Sequence, residues 1–198
     1  MLSTNANGLK HKAEDLKNKI KYFNNAIFSV QETHFRKKGK FKLQNYHVYE
    51  AIRKNKEQGG SMLGVHVGLQ PVLIKEYNEQ FELLVVQITA AEKDIRVITG
   101  YGPQESWTDN GRLPFFTALE EEIVSAEYEG KSVLIAMDAN SKLGPNYISG
   151  DPHEMSKNGK ILAGIIERHG MCVVNGLINK RKGVITREKK HSEWYGEA

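Results

Sequence analysis

The sequence is poor in the residues and segments that would place it outside the ordinary globular class. It has one cysteine in 198 residues, Cys172, so it can form no internal disulfide and no cysteine-rich zinc site. No apolar run approaches the ~20 residues that cross a bilayer, and the first residues lack the apolar stretch of a secretory signal. No linker-like or low-complexity segment divides the chain. We therefore expect one soluble intracellular domain with no membrane partner, and Cys172, which lies in the apolar stretch 171–174, is expected to be buried.

The overall charge is nearly balanced, but basic residues are clustered. The chain has 28 Lys and Arg against 24 Asp and Glu, which gives a formal net charge of +4. Residues 10–21 contain five lysines and a histidine, and shorter basic runs occur at 36–40, 180–182 and 187–191. Such clusters suit a polyanionic partner because a Lys or Arg that neutralises a phosphate releases a counterion. Each single run also fits solvated surface charge.

Apolar periodicity predicts helices and short strands in an order that favours two packed sheets. Helices are expected at residues 10–23, about 114–126 and about 159–169. Strands are expected at 26–30, 46–49, 62–67, 81–88, 95–99, 133–137, 171–174 and 183–186. The segment 133–137 is nearly all apolar, which predicts a central strand covered on both faces. Several strands follow one another without helices between them, so two sheets with helices outside fit better than a parallel doubly wound sheet.

Polar side chains occur at the ends of several of these strands. They form four segments: Asn5-Ala-Asn-Gly8, Gln31-Glu-Thr33, Gly100-Tyr-Gly-Pro-Gln104 and Asp138-Ala-Asn140. Catalytic and binding residues often lie where a rigid strand ends. Each segment taken singly also fits a turn or a helix cap. Their order along the chain is more specific than any one of them.

In that order, the segments STNANGL, SVQETHF, TGYGPQ and AMDANSKLG resemble the endonuclease/exonuclease/phosphatase (DNase I-like) superfamily over essentially the whole chain. The segments QETHF, DANSKLG and NGKILAGIIERHGMCVVNG are most similar to LINE-type (non-LTR) retrotransposon endonuclease domains. The resemblance implies an α/β fold, a four-layer α-β-β-α sandwich of two mixed sheets with helices outside. It also implies a single such domain over residues 1–198.

The resemblance implies a Mg²⁺-dependent phosphodiesterase that nicks DNA, with Mn²⁺ as a substitute ion. Glu32 would bind the metal, with Asn7 nearby, and Asp138 would orient or deprotonate the attacking water. Asn5, Tyr101 and Asn140 would hold the water, the aspartate and the phosphate by hydrogen bonds. Thr186 matches a residue that contacts substrate in the retrotransposon branch.

Three further residues are candidates for contact with DNA on their positions alone. His34 and Arg36 follow Glu32 closely and are expected at the rim of the site. Trp107 follows the tyrosine motif, where its ring would stack on a base or sugar. A lid packed on the second helix is the structural alternative for Trp107.

The family pattern continues after Thr186 with an Ile-Asp strand and a Ser-Asp-His motif, and neither occurs before Ala198. The resemblance therefore implies C-terminal truncation, missing C-terminal strands, and a chain that is inactive or weakly active. Two alternatives to the nuclease stay open: a catalytically incomplete fragment or domesticated domain that binds nucleic acid, and a phosphatase acting on a small phosphate ester. A nuclear location is expected only from the transposon resemblance. The sequence does not indicate the oligomeric state or the cut-site preference.

Overall fold

The computed structural model describes residues 1–53, 59–148 and 152–174 of the protein. The chain divides into two compact units, Met1–Ser141 and Lys142–Ala198. The expectation of one domain over residues 1–198 stays a prediction.

The first unit contains two four-stranded sheets and two helices. Its elements are β1 (Leu2–Asn5), α1 (Ala13–Tyr22), β2 (Ile27–Gln31), β3 (Tyr46–Ala51), β4 (Ser61–His66), β5 (Val72–Tyr77), β6 (Glu82–Ala90), β7 (Lys93–Tyr101), α2 (Asp109–Tyr128) and β8 (Ser132–Ile135), with a short 3₁₀ turn at Val67–Leu69. One sheet has the strand order β1-β2-β4-β3 and the other β5-β6-β7-β8. Each sheet is mixed, because β1 runs parallel to β2 and β8 runs parallel to β7 while the remaining pairs are antiparallel.

Strand β2 is buried over its whole length because both of its faces are covered. Phe28 and Val30 belong to the apolar cluster that contains Leu16 and Ile20 of α1. Ile27 lies on the opposite face of the strand from Phe28 and Val30, and it packs in the cluster between the sheets. This alternation follows from the two-residue period of a strand.

The two sheets pack face to face, and each has a helix on its outer face. The apolar layer between the sheets joins residues of the first sheet with residues of the second: Ile27, Ala51, Leu63 and Val65 with Leu84, Val86, Ile88 and Val97. On the outside of the second sheet, the Phe115 ring of α2 lies against Gly100 of β7, where a Cβ would be 3.4 Å from the ring. The first unit therefore has the layers α1, sheet, sheet, α2, which confirms the predicted α-β-β-α sandwich.

In the second unit, the described residues form one helix, α3 (Lys157–Arg168). Ser156 caps it, since its Oγ accepts a hydrogen bond from the Gly159 amide at 3.1 Å. The helix predicted at residues 159–169 is therefore confirmed, with its start two residues earlier.

Most predicted elements lie within a few residues of the observed ones, and four expectations are wrong. Residues 171–174 do not form a strand, and Cys172 is exposed. Strand β8 is not a central strand among the described residues, because it pairs only with β7 and its side chains are exposed or half-buried. Helix α2 begins at Asp109, five residues before Pro114. The predicted strand at 183–186 lies outside the described residues.

Among the described residues, no helix has both the length and the apolar character needed to span a bilayer.

Candidate active site

The candidate site lies where four strands of the first unit end. Asn5 is the last residue of β1 and pairs with Gln31, the last residue of β2, so Glu32 follows at the same level. In the second sheet, Tyr101 ends β7 and forms an isolated parallel bridge with Asp138. Because parallel strands bring their carboxyl ends to one edge, the two sheets present these side chains at the same end of the sandwich.

Asn5 connects the two carboxylates of the site. Its Nδ2 donates to Glu32 Oε1 at 3.0 Å and to Asp138 Oδ2 at 2.8 Å. Its Oδ1 accepts from the backbone amide of Asn7 at 3.0 Å. Both hydrogens of the amide are thereby used, and the opposite orientation would set the amide oxygen against two carboxylates. The structure therefore brings the side chains of Asn5, Glu32 and Asp138 together.

Glu32 is held by both its backbone and its side chain. Its φ of 52° lies in the left-handed region, and its carbonyl accepts from the Gly8 amide at 2.8 Å. The side chain is 12% exposed, and Oε1 also accepts from the Tyr101 hydroxyl at 2.7 Å. A non-glycine residue in the left-handed region is costly and often marks a functional site. The backbone of this loop therefore directs the carboxylate toward Asn5 and Tyr101.

Tyr101 is a buried hydrogen-bond donor. Burial raises the pKa of its phenol above 10.0, and the hydrogen bond to Glu32 raises the pKa further, while contacts with Asn140 and Gln104 oppose the shift. Ionisation would place a phenolate beside the Glu32 carboxylate, which is unfavourable at short range. Tyr101 therefore keeps its proton at neutral pH and can donate a hydrogen bond there.

Asp138 has a fixed orientation. Its Oδ1 accepts from the Asn140 amide at 3.1 Å and its Oδ2 from Asn5, so each oxygen has a donor. The Asn140 side chain donates to the Gly102 carbonyl at 2.9 Å, and the Gly102 amide donates to the Asp138 carbonyl at 2.7 Å. These bonds join the residues after β7 to the residues after β8. A carboxylate held in this way can orient a water molecule or accept its proton.

The remaining predicted site residues have fewer contacts with Asn5, Glu32 and Asp138. Asn7 is exposed, has a φ of 44°, and is linked to the cluster through its backbone. His34 Nε2 lies 3.8 Å from Glu32 Oε2, which places His34 beside the site. Arg36 is exposed.

Trp107 packs under the Arg53 guanidinium, 5.5 Å from the ring centroid, and against Gly111 of α2. Thr186 lies outside the described residues.

The donor set of the site fits a Mg²⁺ ion held mainly through one carboxylate. Mg²⁺ prefers oxygen ligands and keeps several waters, so it needs only one or two carboxylates from the protein. In the described part of the chain, no three His, Cys, Asp or Glu side chains are grouped closely enough to hold a metal between them. Within those residues a cysteine-histidine zinc centre and an all-carboxylate calcium cage are therefore excluded. Glu32 would hold the ion, with Asp138 one amide group away.

Sequence reasoning missed the buried charges that support the Glu32 loop. Glu82 is fully buried and pairs with Arg53 at 2.8 Å, and its other oxygen accepts from the Gly60 amide at 3.1 Å. The Gly60 carbonyl in turn accepts from the Thr33 amide at 3.1 Å. A glycine pair after a charged segment is a usual turn signal, so no sequence pattern connects Gly60 with Glu82.

The comparisons with known proteins find fold relatives but no sequence relatives. No protein-family model matches the chain, and no curated protein matches it. Among solved structures, the AP endonuclease LMAP from Leishmania major matches with a TM-score of 0.71 at 13% identity over 92% of this chain and 70% of that one. The 3'-5' exonuclease NExo from Neisseria meningitidis gives 0.67 at 14% identity over 92% and 76%. The endonuclease domain of TRAS1, a telomere-specific non-LTR retrotransposon, gives 0.62 at 16% identity over 85% and 71%.

The chain has the same fold as these solved structures, the DNase I-like fold. The fold recognised from the motifs is thereby confirmed.

Proposed function

We propose that this protein is a Mg²⁺-dependent phosphodiesterase that nicks DNA. The proposal rests on one observation: the Asn5 amide nitrogen bonds Glu32 and Asp138 at the same time, 27 and 133 residues away along the chain. Two carboxylates placed so close together repel each other unless donors or a cation stand between them. That arrangement is what a cation-assisted hydrolysis requires.

Each residue has a role that follows from its contacts. Asp138, with both oxygens oriented, takes the proton of the attacking water. Tyr101, which keeps its proton, would turn its hydrogen from Glu32 toward the phosphate or the leaving oxygen when substrate binds. Asn5 and Asn140 fix these side chains, so little reorganisation is needed when substrate binds. Mg²⁺, when bound at Glu32, supplies positive charge against the charge that builds on the phosphoryl oxygens.

DNA is the proposed substrate because the basic clusters and the structural relatives agree. One neighbour, the NExo 3' phosphatase from Neisseria, is bound to a product DNA hairpin. In this chain, α1 and the segment before it contain the densest basic cluster, and Lys12 Nζ donates to the Ala6 carbonyl at 2.6 Å, next to the site loop. A basic surface at the site would guide a phosphate backbone toward Asp138.

A retrotransposon-like origin is part of the same proposal. It is supported by the segments QETHF and DANSKLG and by the structural similarity to the TRAS1 endonuclease domain. With this origin we also propose a nuclear location. A reverse transcriptase in the same reading frame would support this origin, and a frame joined to inositol-phosphate enzymes would contradict it.

The direct test is nicking of supercoiled plasmid with Mg²⁺ and with EDTA. A plasmid is the most sensitive substrate because a single cut relaxes the whole molecule. We expect weak Mg²⁺-dependent nicking that Glu32→Gln and Asp138→Asn both abolish. The matched control is Asp94→Asn, which alters an exposed carboxylate at the opposite end of β7.

Equal nicking by wild type and both site variants would refute the assignment. Salt-dependent DNA binding without nicking would favour a nucleic-acid-binding domain without catalysis, and phosphate release from inositol phosphates alone would favour a phosphatase.

A further inference from the structure

A small group of polar side chains is buried between the sheets directly beneath the site. Ser29, Gln31 and Thr99 are each at most 1% exposed. Ser29 and Gln31 lie on β2 of the first sheet and Thr99 on β7 of the second. One strand repeat further from the site, the same layer is filled by Ile27, on β2, and Val97, on β7. The layer between the sheets therefore changes from apolar to polar as it approaches the site.

The hydrogen bonds of this group have one consistent arrangement centred on Ser29. Its Oγ donates to the Ala136 carbonyl at 2.9 Å, so its one hydrogen is used. The same oxygen then accepts from the Thr99 hydroxyl at 2.5 Å and from Gln31 Nε2 at 2.6 Å. A hydroxyl has one donor and two acceptor sites, so all three are occupied.

Each partner of Ser29 is one or two residues away from a side chain of the site. Gln31 precedes Glu32, Thr99 lies two residues before Tyr101, and Ala136 lies two residues before Asp138. Ser29 thus joins β2, β7 and the end of β8 through one atom. The backbone supports the same alignment, because the Ala136 amide donates to the Ile98 carbonyl at 2.9 Å.

We propose that Ser29 is a positioning residue whose hydroxyl sets the spacing of the three strand ends that present Glu32, Tyr101 and Asp138. The importance of this spacing for hydrolysis rests on the proposed function, but the spacing itself does not. Burying polar groups costs stability unless every one is hydrogen-bonded, and apolar side chains fill the adjacent part of the layer without that risk. A fully satisfied polar group fixes one geometry, whereas an apolar layer tolerates small sliding of the sheets.

The Asn5 amide reports the spacing directly, because it spans both carboxylates. The proposed experiment measures hydrogen exchange of the Asn5 side-chain amide by NMR in the protein without metal or DNA, together with global stability. In Ser29→Ala we expect roughly tenfold faster exchange, the change produced by losing about one net hydrogen bond. Mg²⁺ affinity should fall in the same variant, because Glu32 and Asp138 are no longer held together.

The matched control is Val97→Ala, which truncates a buried side chain in the same layer on the strand that carries Thr99. It should lower global stability and leave Asn5 exchange unchanged. A second pair of variants tests the proposal even if Ser29→Ala does not fold. Thr99→Val removes the hydroxyl at nearly constant volume and should accelerate Asn5 exchange, whereas Thr99→Ser keeps the hydroxyl and should not.

Equal Asn5 exchange in Ser29→Ala and Val97→Ala would overturn the proposal, and so would equal exchange in Thr99→Val and Thr99→Ser. Because exchange is measured without metal or DNA, it is independent of nicking. If wild type fails to nick while Ser29→Ala still accelerates Asn5 exchange, the proposed function fails and the positioning role stands.

Discussion

Replacing Asn5 by aspartate gives the sharpest prediction of the site's electrostatics. The change keeps the shape of the side chain, removes both donors to Glu32 and Asp138, and adds a third negative charge between them. Hydrogen bonds to charged groups contribute about 1.5–3 kcal/mol each, and the lower value applies here because the group is only partly buried. Loss of both bonds therefore costs about 3 kcal/mol. Repulsion from each neighbouring carboxylate adds about 1 kcal/mol even at the dielectric constant of water.

The assay is urea unfolding of wild type, Asn5→Asp and Asn5→Ala at pH 7.5, each with EDTA and with Mg²⁺. In EDTA, Asn5→Asp should be the least stable of the three, although it keeps more of the side chain than Asn5→Ala. Mg²⁺ should stabilise Asn5→Asp more than wild type. The third negative charge raises the affinity of the folded state for the cation, and a ligand that binds the folded state more tightly stabilises it more. An Asn5→Asp variant that matches or exceeds Asn5→Ala in EDTA would refute the bridging role of Asn5.

The other predictions concern the supports of the site. The pKa of Tyr101 in the folded state is above the unfolded value of 10.0. The free energy of unfolding should therefore not depend on this group below pH 10, and it should fall as the pH rises from 10 to the folded-state pKa. Tyr101→Phe should lose this dependence. An identical alkaline profile in both proteins would contradict the burial of the phenol. Arg53→Met should destabilise by about 3 kcal/mol in thermal unfolding, because Glu82 is then left charged and buried. Gly60→Ala should cost more than Gly39→Ala, since both have a positive φ but only at Gly60 would the new Cβ meet Thr33 Oγ1, at 2.5 Å.

Most of the motif residues could be predicted from the sequence because they end or follow strands whose apolar pattern is plain. Gln31 ends a fully buried strand and Glu32 follows it, and Tyr101 ends another strand. Ordered motifs at such positions indicate the fold and the residues together. The contacts among them, including the bridge by Asn5, depend on which strands are neighbours, and a single sequence does not specify the neighbours.

The errors have the same physical origin. The apolar run at 133–137 predicts a strand but not its place in the sheet, and β8 is an edge strand in the described residues. Strand β5 was missed although Val72, Leu73 and Ile74 are apolar, and these side chains are 41–56% exposed. Its order comes from pairing with β6, which includes an irregularity between Leu73 and Lys75. Ser29 and Thr99 read as ordinary strand residues, because their joint role requires the two sheets to be packed.

The proposed hydrolysis requires one cation-binding site at Glu32, next to Asn5 and Asp138. The most direct measurement is NMR of the metal-free protein titrated with Mn²⁺, whose unpaired electrons broaden nearby signals. We expect the signals of the Asn5 side-chain amide and the Tyr101 ring to broaden first, excess Mg²⁺ to reverse the effect, and Glu32→Gln to abolish it. Broadening that begins elsewhere, or that persists unchanged in Glu32→Gln, would contradict a cation site at Glu32.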